Sequence, residues 1–192
     1  MAGTGRAVAA LAGGTTRVLA HIPFPANSSV DSILVGDAGG GFQPSFVVVP
    51  RDISGVPLDG VLVTLRFANP WPTLLESQEP GTIVDCAQKT LGRYSSPNGE
   101  TVFHPRFGGI VNYDGIEVRA NGVLLARIPA RSTDIDGSGA TSLADLSLLA
   151  EALFQDASET DLDFNLDGSV DLGDLEIMRR DLFFGVPGPV CP

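Results

Sequence analysis

Between residues 45 and 131 the apolar positions come in short runs divided by turn formers. Phe46-Val47-Val48-Val49 is dense and β-branched, and Val61-Leu62-Val63-Thr64-Leu65-Arg66-Phe67 alternates large apolar with smaller or polar residues. A period of two marks a strand with one buried face. Residues 82–86, 101–104, 109–112, 116–120 and 123–128 read the same way, and the turn-rich stretch 52–60 divides the first two runs. Asn121-Gly122 lies between two apolar runs and predicts a two-residue hairpin, whose turn needs positive φ at both positions. Six or seven strands with turns about every eight to twelve residues predict an antiparallel β-sandwich.

Past residue 131 the period lengthens. Leu143, Leu146, Leu149 and Leu153, with Phe154 beside the last, are spaced at three or four residues. Leu172, Leu175, Met178, Leu182 and Phe183 repeat them at an offset of 29. Each set predicts an amphipathic helix, and two stripes too small to form separate cores are expected to bury each other. Only residues 129–133 join the strands to this repeat, without a glycine, which favours a fixed angle between the parts. The expected divisions are an N-terminal extension (1–26), a sandwich (27–131), a loop–helix pair (132–185) and a tail (186–192).

Charge sharpens this division. Of the net −11, residues 1–130 carry ten acidic and nine basic side chains, and residues 131–192 thirteen acidic and three basic. Acidity so placed points to cations as partners and argues against nucleic acid or an anionic membrane. No apolar run approaches the roughly 18–20 residues of a membrane-spanning helix. Cys86 and Cys191 form no metal-binding unit; they are either bridged or two buried thiols. Arg6 and the apolar residues 7–12 begin like a secretory signal, but Gly13-Gly14 interrupts the run, so no clear signal peptide is read. An ordered N-terminal segment would lie in its own sandwich or be donated as a strand to a neighbouring chain. Asn27-Ser28-Ser29 is a glycosylation sequon at Asn27, the glycine-rich stretch 36–41 reads as a flexible turn, and Trp71, between prolines, as a loop plug or a contact point.

The chemistry lies ahead of the two helices. Asp134-Ile135-Asp136-Gly137-Ser138-Gly139-Ala140-Thr141-Ser142-Leu143-Ala144-Asp145 and Asp163-Phe164-Asn165-Leu166-Asp167-Gly168-Ser169-Val170-Asp171-Leu172-Gly173-Asp174 each set oxygen-bearing side chains at positions 1, 3, 5, 9 and 12, with glycine at 6. Ca²⁺ takes about six to eight oxygens, and alternate residues of a tight loop can point at one ion. The expected ligands are Asp134, Asp136, Ser138, Ala140 (carbonyl), Ser142 and Asp145, then Asp163, Asn165, Asp167, Ser169 (carbonyl), Asp171 and Asp174, for two calcium ions. A solvated acidic turn is the alternative, which two complete matches disfavour. With four carboxylates against three, the second loop is expected to fill first.

Position 12 is Asp in both loops where an EF-hand carries Glu, and Ile128-Pro129-Ala130-Arg131 leads into the first loop without a helix. A duplicated loop-then-helix unit with terminal Asp resembles the type I dockerin over about residues 134–185. That resemblance implies a calcium-folded module attaching a secreted bacterial protein to a cohesin-like surface protein. Where dockerins often carry Ser-Thr pairs against cohesin, at positions 10 and 11, this chain has Leu143-Ala144 and Leu172-Gly173. The basic pair within the helix is present as Arg179-Arg180 and replaced by Ala150-Glu151 in the first repeat. Leu143, Ala144, Leu172, Gly173, Arg179 and Arg180 are therefore the candidate partner-binding residues. Upstream, Asp52-Ile53-Ser54-Gly55-Val56-Pro57-Leu58 and Ser96-Pro97-Asn98-Gly99-Glu100-Thr101-Val102-Phe103 are similar to turn segments of bacterial immunoglobulin-like domains of the invasin type. The expected fold is thus mainly β with a small α module: an immunoglobulin-like antiparallel sandwich followed by a dockerin-like pair.

His21 and His104 stand apart, no Ser or Cys lies in a nucleophile elbow, and the pairs Asp114/Glu117 and Glu76/Glu79 read as solvated surface. The expectation is a non-catalytic extracellular or cell-surface structural protein. It would assemble with copies of itself, head to tail into a fibre, or attach to a cohesin-like partner.

Overall fold

Val63, Leu65 and Phe67 are buried on one face of a strand whose other face carries Leu62, Thr64 and Arg66, as a period of two requires. Around that strand the computed structural model is mainly β, with antiparallel sheets and two helices. It describes residues 7–10, 17–20, 34–36, 46–51, 56–67, 73–154, 162–164, 169–184 and 188–192. In chain order the elements are β1 (Ala7–Ala10), β2 (Arg17–Ala20), β3 (Leu34–Gly36), β4 (Phe46–Pro50), β5 (Leu62–Phe67), β6 (Thr73–Leu74), β7 (Ile83–Asp85), β8 (Thr90–Tyr94), β9 (Thr101–Phe103), β10 (Phe107–Gly108), β11 (Val111–Ala120), β12 (Val123–Ser132), α1 (Leu143–Phe154) and α2 (Leu172–Phe184).

A six-stranded sheet runs β3-β12-β11-β5-β8-β7, a four-stranded sheet β1-β2-β4-β9, and β10 pairs with β6. Among the described residues every strand pairing is antiparallel except β12 with β3. Phe46, Val48 and Phe103 of the smaller sheet share one apolar core with Val63, Leu65, Phe67, Leu91, Ile116 and Val118 of the larger. Each such side chain contributes about 1.5–3 kcal/mol on burial. Leu65→Ala would leave a cavity costing about 2–5 kcal/mol.

The hairpin is where the sequence puts it: Asn121 (φ 44) and Gly122 (φ 82) connect Ala120 to Val123. The Asn121 side chain also accepts the Leu62 amide at 3.1 Å, tying the turn to β5. Several expectations need correcting. The runs 109–112 and 116–120 belong largely to one strand, β11, and β8 was not expected because Gly92 and Arg93 break its apolar pattern. Within the N-terminal stretch, β1 and β2 join the four-stranded sheet of their own chain through β4. The last strand, expected to end at Ile128, is longer. β12 continues through Pro129 to Ser132, and the proline falls where the ladder is irregular, between Ile116↔Ile128 and Val111↔Ala130. A residue without an N–H is tolerated there. Asn27, Trp71, residues 37–41 and residues 52–55 lie outside the described residues.

Glu117, expected on a solvated surface, is buried instead. Its cross-strand partners are Arg66 and Arg127, and Arg119 lies 2.8 Å away. The Arg119 hydrogen bond, with help from Arg127 and against the cost of burial, holds its carboxyl below the usual range.

Residues 188–192 return to the sheets. Val190 bridges to Leu75, Cys191 donates its amide to Leu74 O at 2.7 Å, and a disulfide joins Cys191 to Cys86 with Cα atoms 4.9 Å apart. A link across 105 residues contributes up to about 4–5 kcal/mol in the chain-entropy model.

Candidate metal centre

β12 ends at Ser132, and two residues later Asp134 opens the first loop, so the sheet itself aims the position-1 carboxylate. Asp134 is fully buried. Its Oδ1 accepts the Ser138 amide at 2.9 Å and its Oδ2 the Gly139 amide at 2.8 Å. Asp136 Oδ1 accepts the same Ser138 amide at 3.0 Å. Gly139, at position 6, has φ +94, a conformation side-chain-bearing residues rarely adopt. Asp145 closes the loop from the first turn of α1. Its Oδ1 accepts the Asp136 amide at 3.0 Å, and its Oδ2 accepts the Ser142 amide at 2.8 Å and hydroxyl at 2.9 Å. With Ser142 Oγ accepting the Ala144 amide, Ser142 and Asp145 also form a helix-capping box. Capping accounts for those two residues; it does not account for Asp134 and Asp136.

Carboxylate oxygens of Asp134, Asp136 and Asp145 lie within 4.8 Å of one another. Calcium–oxygen bonds of about 2.3–2.6 Å allow ligand oxygens up to about 5 Å apart across one ion, so the three fit a single centre. Among the described residues no lysine or arginine pairs with any of them. Burial pushes the Asp134 carboxyl up to about 6, with the Asp136 and Asp145 carboxylates adding to the rise and the Gly139 and Ser138 amides opposing it. For Asp136 burial also disfavours the charge, but hydrogen bonds from Ser138 outweigh it and hold that carboxyl below its usual value. A bound cation would remove the cost that Asp134 carries. The opposite wall is Gly108 of β10: a Cβ there would fall 2.0 Å from Asp134 Oδ2 and 2.9 Å from Gly137 Cα. The Gly109 amide also donates to Asp134 O at 2.6 Å. The sheet thus shapes the first loop from both sides.

In the second loop Asp174 repeats the part of Asp145. Its Oδ1 accepts the Phe164 amide at 2.6 Å and its Oδ2 the Asp171 amide at 2.8 Å. Ser169 is among the described residues and Asn165 and Asp167 are not, so the second site is described through Asp163, Asp171 and Asp174. Asp163 differs from Asp134 in having a cation beside it: buried Arg131 donates to Asp163 O at 2.6 Å and stands 4.0 Å from its carboxylate. That guanidinium offsets part of the extra charge on which the expected filling order rests.

Leu149 and Met178 are fully buried in a second core with Ala152, Leu162, Phe164 and Ile177, so the helices bury each other as their stripes predict. Ile110, between β10 and β11, packs against the same core. The stripe ends depart from expectation. Leu143 and Leu172 are 74% and 75% exposed, and Phe154 and Phe183 are 90% and 72% exposed. Ala144 and Gly173 lie beside those leucines, while Arg179 and Arg180 are occupied by Glu176 of their own helix at 2.7 and 3.5 Å.

Three supporting residues escaped the sequence reading: Gly108, Arg131 and Asp181. Asp181 is buried and accepts the Thr133 hydroxyl, which also bonds Thr141 of the first loop at 2.9 Å. A signal was present, because Asp181 stands where the first repeat has Ala152, a carboxylate among apolar positions. Gly108 and Arg131 carry none, since their roles arise from strand placement. The chain matches no family model, no curated protein and no solved structure.

Proposed function

We propose that this chain is a non-catalytic assembly protein of the bacterial exterior, with a calcium-folded, dockerin-like loop–helix pair built onto an immunoglobulin-like sandwich. The observation that carries this reading is the convergence of Asp134, Asp136 and Asp145 on one point with no basic partner among the described residues. Three carboxylates, Asp134 and Asp145 buried and Asp136 exposed, repel each other at close range, and a divalent cation converts that repulsion into folding free energy. The Cys86–Cys191 disulfide supports an oxidising location. The calcium acts as a structural clamp and fixes the spacing of the leucines and phenylalanines that the two helices leave in solvent.

In the leading form, those residues meet another copy of the chain head to tail, and repetition without closure gives a fibre. A second form is favoured by the exposed Leu143 and Leu172, which occupy the positions dockerins use against cohesin: the pair docks on a different, cohesin-like protein. Sedimentation of the purified chain with calcium and with chelator separates them. Calcium-dependent growth with concentration supports self-association. Monodisperse monomers at high concentration remove it.

A further inference from the structure

The first loop is closed from outside by a piece of chain more than forty residues downstream. Gly188 donates its amide to Gly139 O at 3.2 Å, while the amide of the same Gly139 holds Asp134 Oδ2 at 2.8 Å. A Cβ on Gly139 would fall 2.7 Å from Gly188 O and 3.0 Å from Val190 Cγ1, so the downstream segment lies directly on the loop. That segment is itself fastened to the sheets. Glu76 donates its amide to Pro189 O at 2.9 Å, Val190 bridges to Leu75, the Cys191 amide reaches Leu74 O at 2.7 Å, and Cys191 is bonded to Cys86. An unbroken path therefore runs from the disulfide to the position-1 carboxylate: Cys86, Cys191, Val190, Gly188, Gly139, Asp134.

We propose that residues 188–191 are a positioning strap of the first cation site, and that reducing Cys86–Cys191 weakens calcium binding there. The proposal rests on the reading that Asp134, Asp136 and Asp145 bind calcium. The strap supplies no ligand. It holds the backbone of Gly139 so that its amide keeps the Asp134 carboxylate turned inward. The disulfide makes docking of the strap an intramolecular event at high effective concentration, which is lost when the bond is reduced. The chemistry is thiol–disulfide exchange with a dithiol reductant. Its thiolate attacks one cystine sulfur, the S–S bond breaks, and its second thiol resolves the mixed disulfide. The reductant leaves as a cyclic disulfide, and Cys86 and Cys191 retain the two electrons and two protons as thiols.

The test is calcium titration of the full chain by calorimetry, oxidised and after dithiothreitol, beside C86S/C191S and Gly188→Pro. The last variant deletes the amide donor and leaves the disulfide in place. Loss of one backbone hydrogen bond and of the tether should weaken one of the two sites about five- to tenfold in the reduced chain and in the double serine variant. The other site should not change. Gly188→Pro should show the same weakening while oxidised, with no further change on reduction. Two sites of equal affinity in oxidised and reduced protein, or Gly188→Pro binding like the parent, would overturn the strap and leave the calcium reading intact. No calcium binding in either redox state would overturn both.

Discussion

Gly108→Ala tests whether the sheet and the first loop act as one body. The added Cβ would sit 2.0 Å from Asp134 Oδ2, 2.7 Å from its Cγ and 2.9 Å from Gly137 Cα. Ordinary contact begins near 3.4 Å, so the carboxylate must retreat by about 1.4 Å or β10 must shift by as much. Retreat breaks the bonds from Ser138 and Gly139, at 2.9 and 2.8 Å. Overpacking costs about 1–3 kcal/mol, and each lost backbone hydrogen bond about 1 kcal/mol more. A loss of about 3–5 kcal/mol borne by the calcium-bound state corresponds to a roughly 150- to 5,000-fold weaker first site. Calcium calorimetry with urea denaturation, each with and without chelator, reads both consequences. Gly122→Ala is the control, since that glycine has positive φ in a hairpin with nothing within 4 Å of its Cβ; it should lose stability without losing calcium. If Gly108→Ala binds two ions with parental affinity, the first site does not lean on the sheet, and the placement of Asp134 against β10 is irrelevant to it.

Other expectations follow from the same geometry. The folded Asp134 carboxyl, near 6, lies above its ordinary 3.8, so in chelator any helix signal that acid pH retains should be lost as pH rises through that window. With calcium the sign reverses: affinity should rise from pH 5 to 7 with proton release, which calorimetry in buffers of different ionisation enthalpy measures. Glu117, held below its ordinary value by Arg119 and Arg127, adds stability that is present above about pH 4.5 and lost as pH falls through its folded pKa; Glu117→Gln should flatten acid denaturation curves there. A double Leu143→Ser, Leu172→Ser variant should keep its stability within about 0.5 kcal/mol and bind both ions, while losing calcium-dependent assembly in sedimentation. Retained assembly would place the contact surface elsewhere.

The elements with local signatures were legible: β5 from its alternation, the hairpin from Asn121-Gly122, both helices from the 29-residue repeat, and the convergence of Asp134, Asp136 and Asp145 from the loop spacing. What was not legible depends on which strands become neighbours. β8 contains Gly92 and Arg93, and its place between β5 and β7 comes from pairing, not pattern. Glu117 looked like surface because its arginines at 66 and 127 meet it only across strands. The leucines at 143 and 172 looked like core because they share the helical period, yet they lie at the first residue of each helix, before the buried stripe begins.

The central claim is that calcium folds the acidic third onto the sheets. Equilibrium dialysis with radioactive calcium, followed by far-ultraviolet circular dichroism of the same samples as chelator is added, tests it most directly. The account predicts two ions per chain, and on their removal loss of the signal of α1 and α2 while the β signal persists. Helices that remain intact in chelator, or a chain that retains no calcium, would contradict it.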